Sequence, residues 1–263
     1  MGLFAVSYDP VAILAAFGDT HGITFPLLSD EGSHAMRGLG LLNERVGEDH
    51  AVYGIPASSR HVGLPYPGTF VLDEAGIIVH KRFHESYRVR DTGAGLLART
   101  LGMLDAGSEI AGDDGADAVR LRTWIASPTY VWYQQLHLNV EIMTAAGWHV
   151  YGRPAALGVV PVTVDIEPIE GTEIGTIDWP APHALRLAGM DETVWAYDGR
   201  LQLTVPLTFT GAPGAGDRRI AGAVRYQACS ESVCLPPTTI PIEITLAESA
   251  LVGRSLPPRA GSR

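Results

Sequence analysis

Cysteine is the scarcest chemically informative residue in this 263-residue chain: there are two, Cys229 and Cys234. So few cysteines do not make the disulfide framework of a small secreted scaffold, and they leave the compartment open. Positive charge is also short. With 19 Lys and Arg against 29 Asp and Glu, the formal net charge is −10. That argues against nucleic acid or an anionic membrane surface as partner, since both attract a basic face. No apolar run approaches the ~20 residues of a membrane-spanning helix. The opening MGLFAVSYDPVAILAAFGD has no basic n-region, and Asp9 interrupts its apolar stretch, so it does not read as an export signal.

What the chain has is glycine and proline, 30 and 18 residues, and 46% hydrophobic residues. Turns and sizeable cores follow, rather than a helical bundle, and the length suits two domains. Across residues 1–105, short apolar runs alternate with helical patterns. LFAVSY at 3–8 reads as a buried strand, followed by Asp9 as N-cap and Pro10 as first helical residue. Ile13, Leu14 and Phe17 share the inner face of that helix, and a second helix falls within 31–38. TFVLD at 69–73 and IIVHKRF at 77–83 read as a hairpin turning at Gly76. Asp91 is placed to cap a last helix bearing Leu96, Leu97, Thr100, Leu101 and Leu104.

Residues 106–118 are small, acidic and glycine-rich, a linker composition. From 119 to 250 the apolar period becomes two. Leu136, Leu138, Val140 and Ile142 face one way, and His137, Asn139 and Glu141 the other. Val160, Val162, Val164 and Ile166 repeat the pattern, as do Leu201 to Phe209 and Ile240 to Leu246. Strands with one apolar face predict two packed antiparallel sheets, a β-sandwich of immunoglobulin-like size. Trp124, Trp132 and Trp148 are expected in its core, and residues 251–263 form a tail.

The first segment resembles the AhpC/TSA redoxin family of thioredoxin-like proteins. The stretches that carry the likeness are AVSYDP (5–10), HGITFPLLSDEGSHAMRGLGLLN (21–43) and PGTFVLDEAGIIVHKRF (67–83). The resemblance implies an α/β thioredoxin-like domain with Pro67 as the cis-proline that opens the strand before the closing hairpin. It also implies a cysteine in a first strand–helix unit, and this chain has no cysteine before 229. The domain is therefore expected to be incomplete, with a deficient sheet and an exposed apolar edge, and to support no peroxidase or dithiol chemistry. The expectation is a fragment of a longer protein, or else a redoxin remnant kept as a binding module. His21, His34, His50, His61, His80 and His84 read as surface or packing residues, and Ser58 and Ser59 as loop residues without a nucleophile elbow.

The cysteines sit in YQACSESVCLPP, 226–237. Zinc needs about four ligands, and the pair supplies two; His137, His149 or His183 would have to complete the set. A staple or plain buried thiols is the other simple reading, and a redox pair the third. The flanks favour the third. VRYQACSESVCLPP (224–237), GWHVYGRPAALGVVPVTVDIEP (147–168) and VWAYDGRLQLTVPLTF (194–209) resemble the N-terminal domain of the thiol:disulfide interchange protein DsbD. That likeness implies a redox hairpin with Cys229 and Cys234 reacting, framed by Tyr226, Gln227, Pro236 and Pro237. It implies mixed disulfides with a thioredoxin-like or membrane redox partner, no cofactor or metal, and work outside the cytoplasm. Glu231 is expected to disfavour a neighbouring thiolate. A shielding cap is expected near 187–197, although Trp195 and Tyr197 read more simply as core. The rival is a non-enzymatic binding or adaptor protein whose disulfide is a staple.

Overall fold

The computed structural model describes residues 2–52, 63–84, 86, 89–92, 118–155, 158–186, 193–212 and 214–249. The chain divides into two compact units, Met1–Val89 and Arg90–Arg263.

In the first unit, β1 (Ala5–Ser7) pairs in parallel with β2 (Leu27–Ser29), and α1 (Val11–His21) connects them. The helix starts one residue later than its sequence suggests. Pro10 takes an extended ψ of 151° and serves as N-cap, its carbonyl accepting from the amides of Ile13 and Leu14. The Asp9 carboxylate instead accepts from the Ser7 hydroxyl. Two short helices follow, α2 (His34–Gly38) and α3 (Val46–Val52). Asp30 secures the first of these by accepting from the Ala35 and Met36 amides, which hold its carboxyl below the usual carboxylate range. Then β3 (Gly68–Leu72) and β4 (Ile78–Phe83) close a hairpin in which Gly76 has φ of +79°.

Three expectations for this unit need correction. Leu3 to Tyr8 is not a buried strand, since Phe4 and Val6 are 60% and 52% exposed. Of the α1 face only Leu14 is buried; Ile13 and Phe17 lie open to solvent. A two-stranded sheet cannot cover both flanks of a helix. Pro67 is also not cis: the one cis peptide bond among the described residues is Arg153–Pro154. Pro67 simply continues the hairpin, its carbonyl accepting from the His84 amide, so no chain reversal demands the less favoured isomer. Ser58, Ser59, His61, the proposed helix after Asp91 and nearly all of the linker lie outside the described residues.

The second unit is strand-rich. In order it contains β5 (Arg90–Asp91), β6 (Val119–Ile125), β7 (Thr129–Tyr130), β8 (Gln134–Thr144), β9 (His149–Tyr151), β10 (Thr163–Ile166), β11 (Thr172–Ile174), β12 (His183–Arg186), β13 (Thr193–Asp198), β14 (Arg200–Phe209), β15 (Arg218–Tyr226), β16 (Ala228–Cys229) and β17 (Thr238–Glu248). Asp91 thus sits in a strand: Arg90 and Asp91 pair in parallel with Gln134 and Gln135, which draws the start of this unit ahead of residue 105.

Two sheets make the sandwich. One has the order β11-β14-β8-β5 with β6 also on β8, and the other the order β10-β15-β17-β7. Their period-two apolar faces meet. Leu136, Leu138, Val140 and Ile142 of β8, with Leu201, Leu203, Val205, Leu207 and Phe209 of β14, are at most 2% exposed. They join Ile220, Val224, Ile240, Ile242 and Leu246 in one core. Gly222 lets β10 approach β15, because a Cβ there would lie 2.3 Å from the Asp165 carbonyl oxygen.

The polar face of β8 departs from simple alternation. His137, Asn139 and Glu141 are buried too. Glu141 is flanked by Arg122 of β6 and Arg200 of β14, so this buried carboxylate is paired on both sides. Trp124 lies opposite Asn139 on this second face and outside the sandwich core; Trp148 packs against that core, and Trp132 donates to the Thr210 carbonyl.

Candidate functional site

A third, smaller sheet carries the cysteines. Its order is β12-β13-β9-β16, all antiparallel. Opposed residues in antiparallel strands share a face, and successive residues alternate faces. The register therefore writes two rows. Tyr197, Val150 and Ala228 are opposite one another and belong to the sandwich core. Asp198, His149 and Cys229 form the next row, on the other face. The core row anchors the sheet, and the site row rides on its back.

Beyond Cys229 the chain turns and returns as Cys234, directly opposite it. Ser230 shapes that turn. Its amide donates to the Val233 carbonyl, and its hydroxyl accepts from the amides of Ser232 and Val233. The two sulphurs are bonded to each other, with Cα atoms 4.1 Å apart. Cys229 has no exposed surface, whereas Cys234 is exposed.

Gln227 braces the hairpin from both sides. Its carbonyl oxygen accepts from the Val160 amide, and its amide nitrogen donates to the Leu235 carbonyl. The Leu235 amide donates to Ala228, so the hairpin is closed just below the disulfide. Tyr226 is buried in the sandwich core, opposite Thr238 of β17. Pro236 and Pro237 are exposed, have no N–H to offer, and separate the hairpin from the β17 ladder.

Beside the pair, Tyr151 and Asp198 were not singled out from the sequence as site residues, and His149 only as a conceivable zinc ligand. Tyr151 lies with Val194 and Cys229 in a small apolar cluster, and its hydroxyl is 3.7 Å from the Cys234 sulphur. Burial pushes the Tyr151 phenol up, so the hydroxyl keeps its proton and can donate to sulphur. His149 stands edge-on to Tyr151, with ring centroids 5.2 Å apart. Burial, and then His183, pulls the His149 imidazole down, while Asp198 opposes them. Asp198 itself lies 3.9 Å from His183. The signal for this group was the period-two run His149-Val150-Tyr151, which puts the histidine and tyrosine on one face.

The zinc alternative does not gather its ligands. Among the described residues, no group of three or more His, Cys, Asp or Glu side chains is placed to hold a metal ion. Of the segment expected to cap the pair, residues 187–192 lie outside the described residues, while Tyr197 belongs to the sandwich core and Trp195 is half-buried. No helix among the described residues is long and apolar enough to cross a membrane.

Known families match both parts of the chain. Residues 1–81 match the AhpC/TSA family, and residues 125–246 match the N-terminal domain of the thiol:disulfide interchange protein DsbD. No individual curated protein matches the chain. Among solved structures, the N-terminal periplasmic domain of ScsB from Proteus mirabilis is 18% identical with a TM-score of 0.38, the match covering 51% of this chain and 50% of that one. The chain thus spans about half the length of that structure. The DsbD N-terminal domain of Neisseria meningitidis in its reduced form is 19% identical with a TM-score of 0.29, over 42% of this chain and 80% of that one. The chain is thus similar to the AhpC/TSA family over residues 1–81 and to the DsbD N-terminal domain over residues 125–246, the part that holds the bonded cysteine pair.

Proposed function

We propose that the chain is a thiol–disulfide exchange protein whose working pair is Cys229 and Cys234, with Cys234 as the sulphur that meets the partner. The observation that carries this is the asymmetry of the pair: Cys229 is wholly buried and Cys234 exposed on a braced hairpin. An incoming thiolate must approach one sulphur in line with the S–S bond, and only Cys234 is open to it. In the reducing direction a partner thiolate attacks Cys234 Sγ, the S–S bond breaks, and its electron pair leaves on Cys229. In the donating direction Cys234 attacks an oxidised target, and Cys229 then displaces the target sulphur.

The partner is a thioredoxin-like or membrane redox protein joined through a mixed disulfide. The dithiol carries two electrons by itself and requires no cofactor. The redoxin-like segment holds no cysteine. Peroxide turnover is accordingly expected to be absent from this chain. The resemblance of the second unit supports work outside the cytoplasm.

One observation favours a second role for the first unit. Phe4, Val6, Val11, Ile13 and Phe17 are all more than half exposed, which suits an adaptor surface. Equilibration of the pair in glutathione buffers, read by alkylation and mass, separates exchange from a mere staple. A potential below about −300 mV with no exchange against thioredoxin would overturn the proposal.

A further inference from the structure

We infer that His149 is the proton acceptor for Cys229, removing the thiol proton as that sulphur closes on Cys234. The inference rests on the exchange reading above and adds a residue to it.

The geometry is the cross-strand row. Asp198, His149, Cys229 and Cys234 are successive opposite neighbours across β13, β9, β16 and the returning hairpin strand. Side chains opposed in this way have Cβ atoms about 4.5–5.5 Å apart, within reach of an imidazole. His149 is 7% exposed, and its Nε2 atom is fully buried without a hydrogen-bond partner. Buried polar atoms of this kind call for an explanation. In the disulfide state the neighbouring sulphur has no proton to give. In the dithiol state Cys229 gains an S–H, and the orphan nitrogen gains its donor.

The chemistry needs such an acceptor. Cys229 sits among Tyr151 and Val194, an apolar setting that disfavours its thiolate. Yet Cys229 must attack as a thiolate to resolve a mixed disulfide on Cys234. In the proposed step the Cys229 proton passes to neutral His149 while Cys229 Sγ bonds to Cys234 Sγ. The target sulphur departs with the electron pair of its broken bond to Cys234. The groups facing His149 suit both ends of that transfer. Burial and His183 keep the imidazole neutral beforehand. Asp198 stands across the ladder and the Tyr151 ring edge beside it, and the carboxylate steadies the imidazolium that forms.

The test uses the reduced full chain and an aromatic disulfide that releases a coloured thiolate. The first equivalent reports attack by Cys234, and the second reports closure by Cys229. In His149→Phe the first phase should be unchanged. The second should slow on the order of 10²-fold near neutral pH and lose its titration in the histidine range. Asp198→Asn lies at an exposed position, so it should not impair folding. It should slow the second phase several-fold, with the histidine titration displaced to lower pH. A second phase with unchanged rate and pH profile in both variants would overturn the inference. If the unaltered chain shows no first phase, the exchange reading itself fails, whatever His149 does.

Discussion

Reducing the Cys229–Cys234 bond should weaken the second unit slightly and leave it folded. The bond joins residues five apart in sequence. For so short a loop, of about six residues, the chain-entropy relation gives about 2 kcal/mol. The sandwich core does not include either sulphur; it is built by β8, β14 and the facing strands. Once reduced, Cys229 remains a small, buried, tolerable thiol. At about 2 kcal/mol per M of urea, typical for proteins of this class, the midpoint should fall by about 1 M. The assay is urea unfolding followed by tryptophan fluorescence, with and without dithiothreitol, alkylating samples to confirm the redox state. Trp148 packs on the core and reports it. Cooperative unfolding on reduction alone, without urea, would refute the reasoning and make the bond a staple. An exchange protein must persist in both states, so this measurement bears directly on function.

Other consequences are open to measurement. Tyr151→Phe removes the hydroxyl beside Cys234, and thiolate formation there should become harder; attack at neutral pH should slow about fivefold, the worth of one hydrogen bond of about 1 kcal/mol. Stopped-flow exchange would show it, and an unchanged rate would leave Tyr151 as packing alone. The folded unit holds His149 below its ordinary value of 6.5, so the unfolded chain takes up a proton first as the pH falls. That contribution to stability is complete above about 6.5 and declines as the pH drops from there toward the folded value. Unfolding midpoints measured across this window should slope for the unaltered chain and less so for His149→Phe. Leu138→Ala, at a site with no exposure, should cost about 2–5 kcal/mol by chemical denaturation.

The sandwich was legible because its strands repeat with a period of two, and the residues so chosen on β8, β14 and most of β17 form the core. Period alone could not say that the polar side of β8 is also covered. Glu141 reads as solvent-facing until Arg122 and Arg200 are seen beside it, from strands distant in sequence. On α1 the spacing of Ile13, Leu14 and Phe17 announced a buried face, but burial needs a second surface, and only Leu14 finds one. The cysteines were legible from their flanks. Their inequality was not, because it depends on β9 lying against Cys229 while Cys234 turns outward. Asp198 and His149 are 49 positions apart, and only the β13–β9 register makes them neighbours.

That register has a further consequence. Strand β9 divides its labour residue by residue: Val150 holds the sandwich, while His149 and Tyr151 face the sulphurs. On the proposed exchange function, substitutions at 149, 151 and 198 act on the pair from the face that Val150 does not share. Val150 marks the seam between the two faces of the strand.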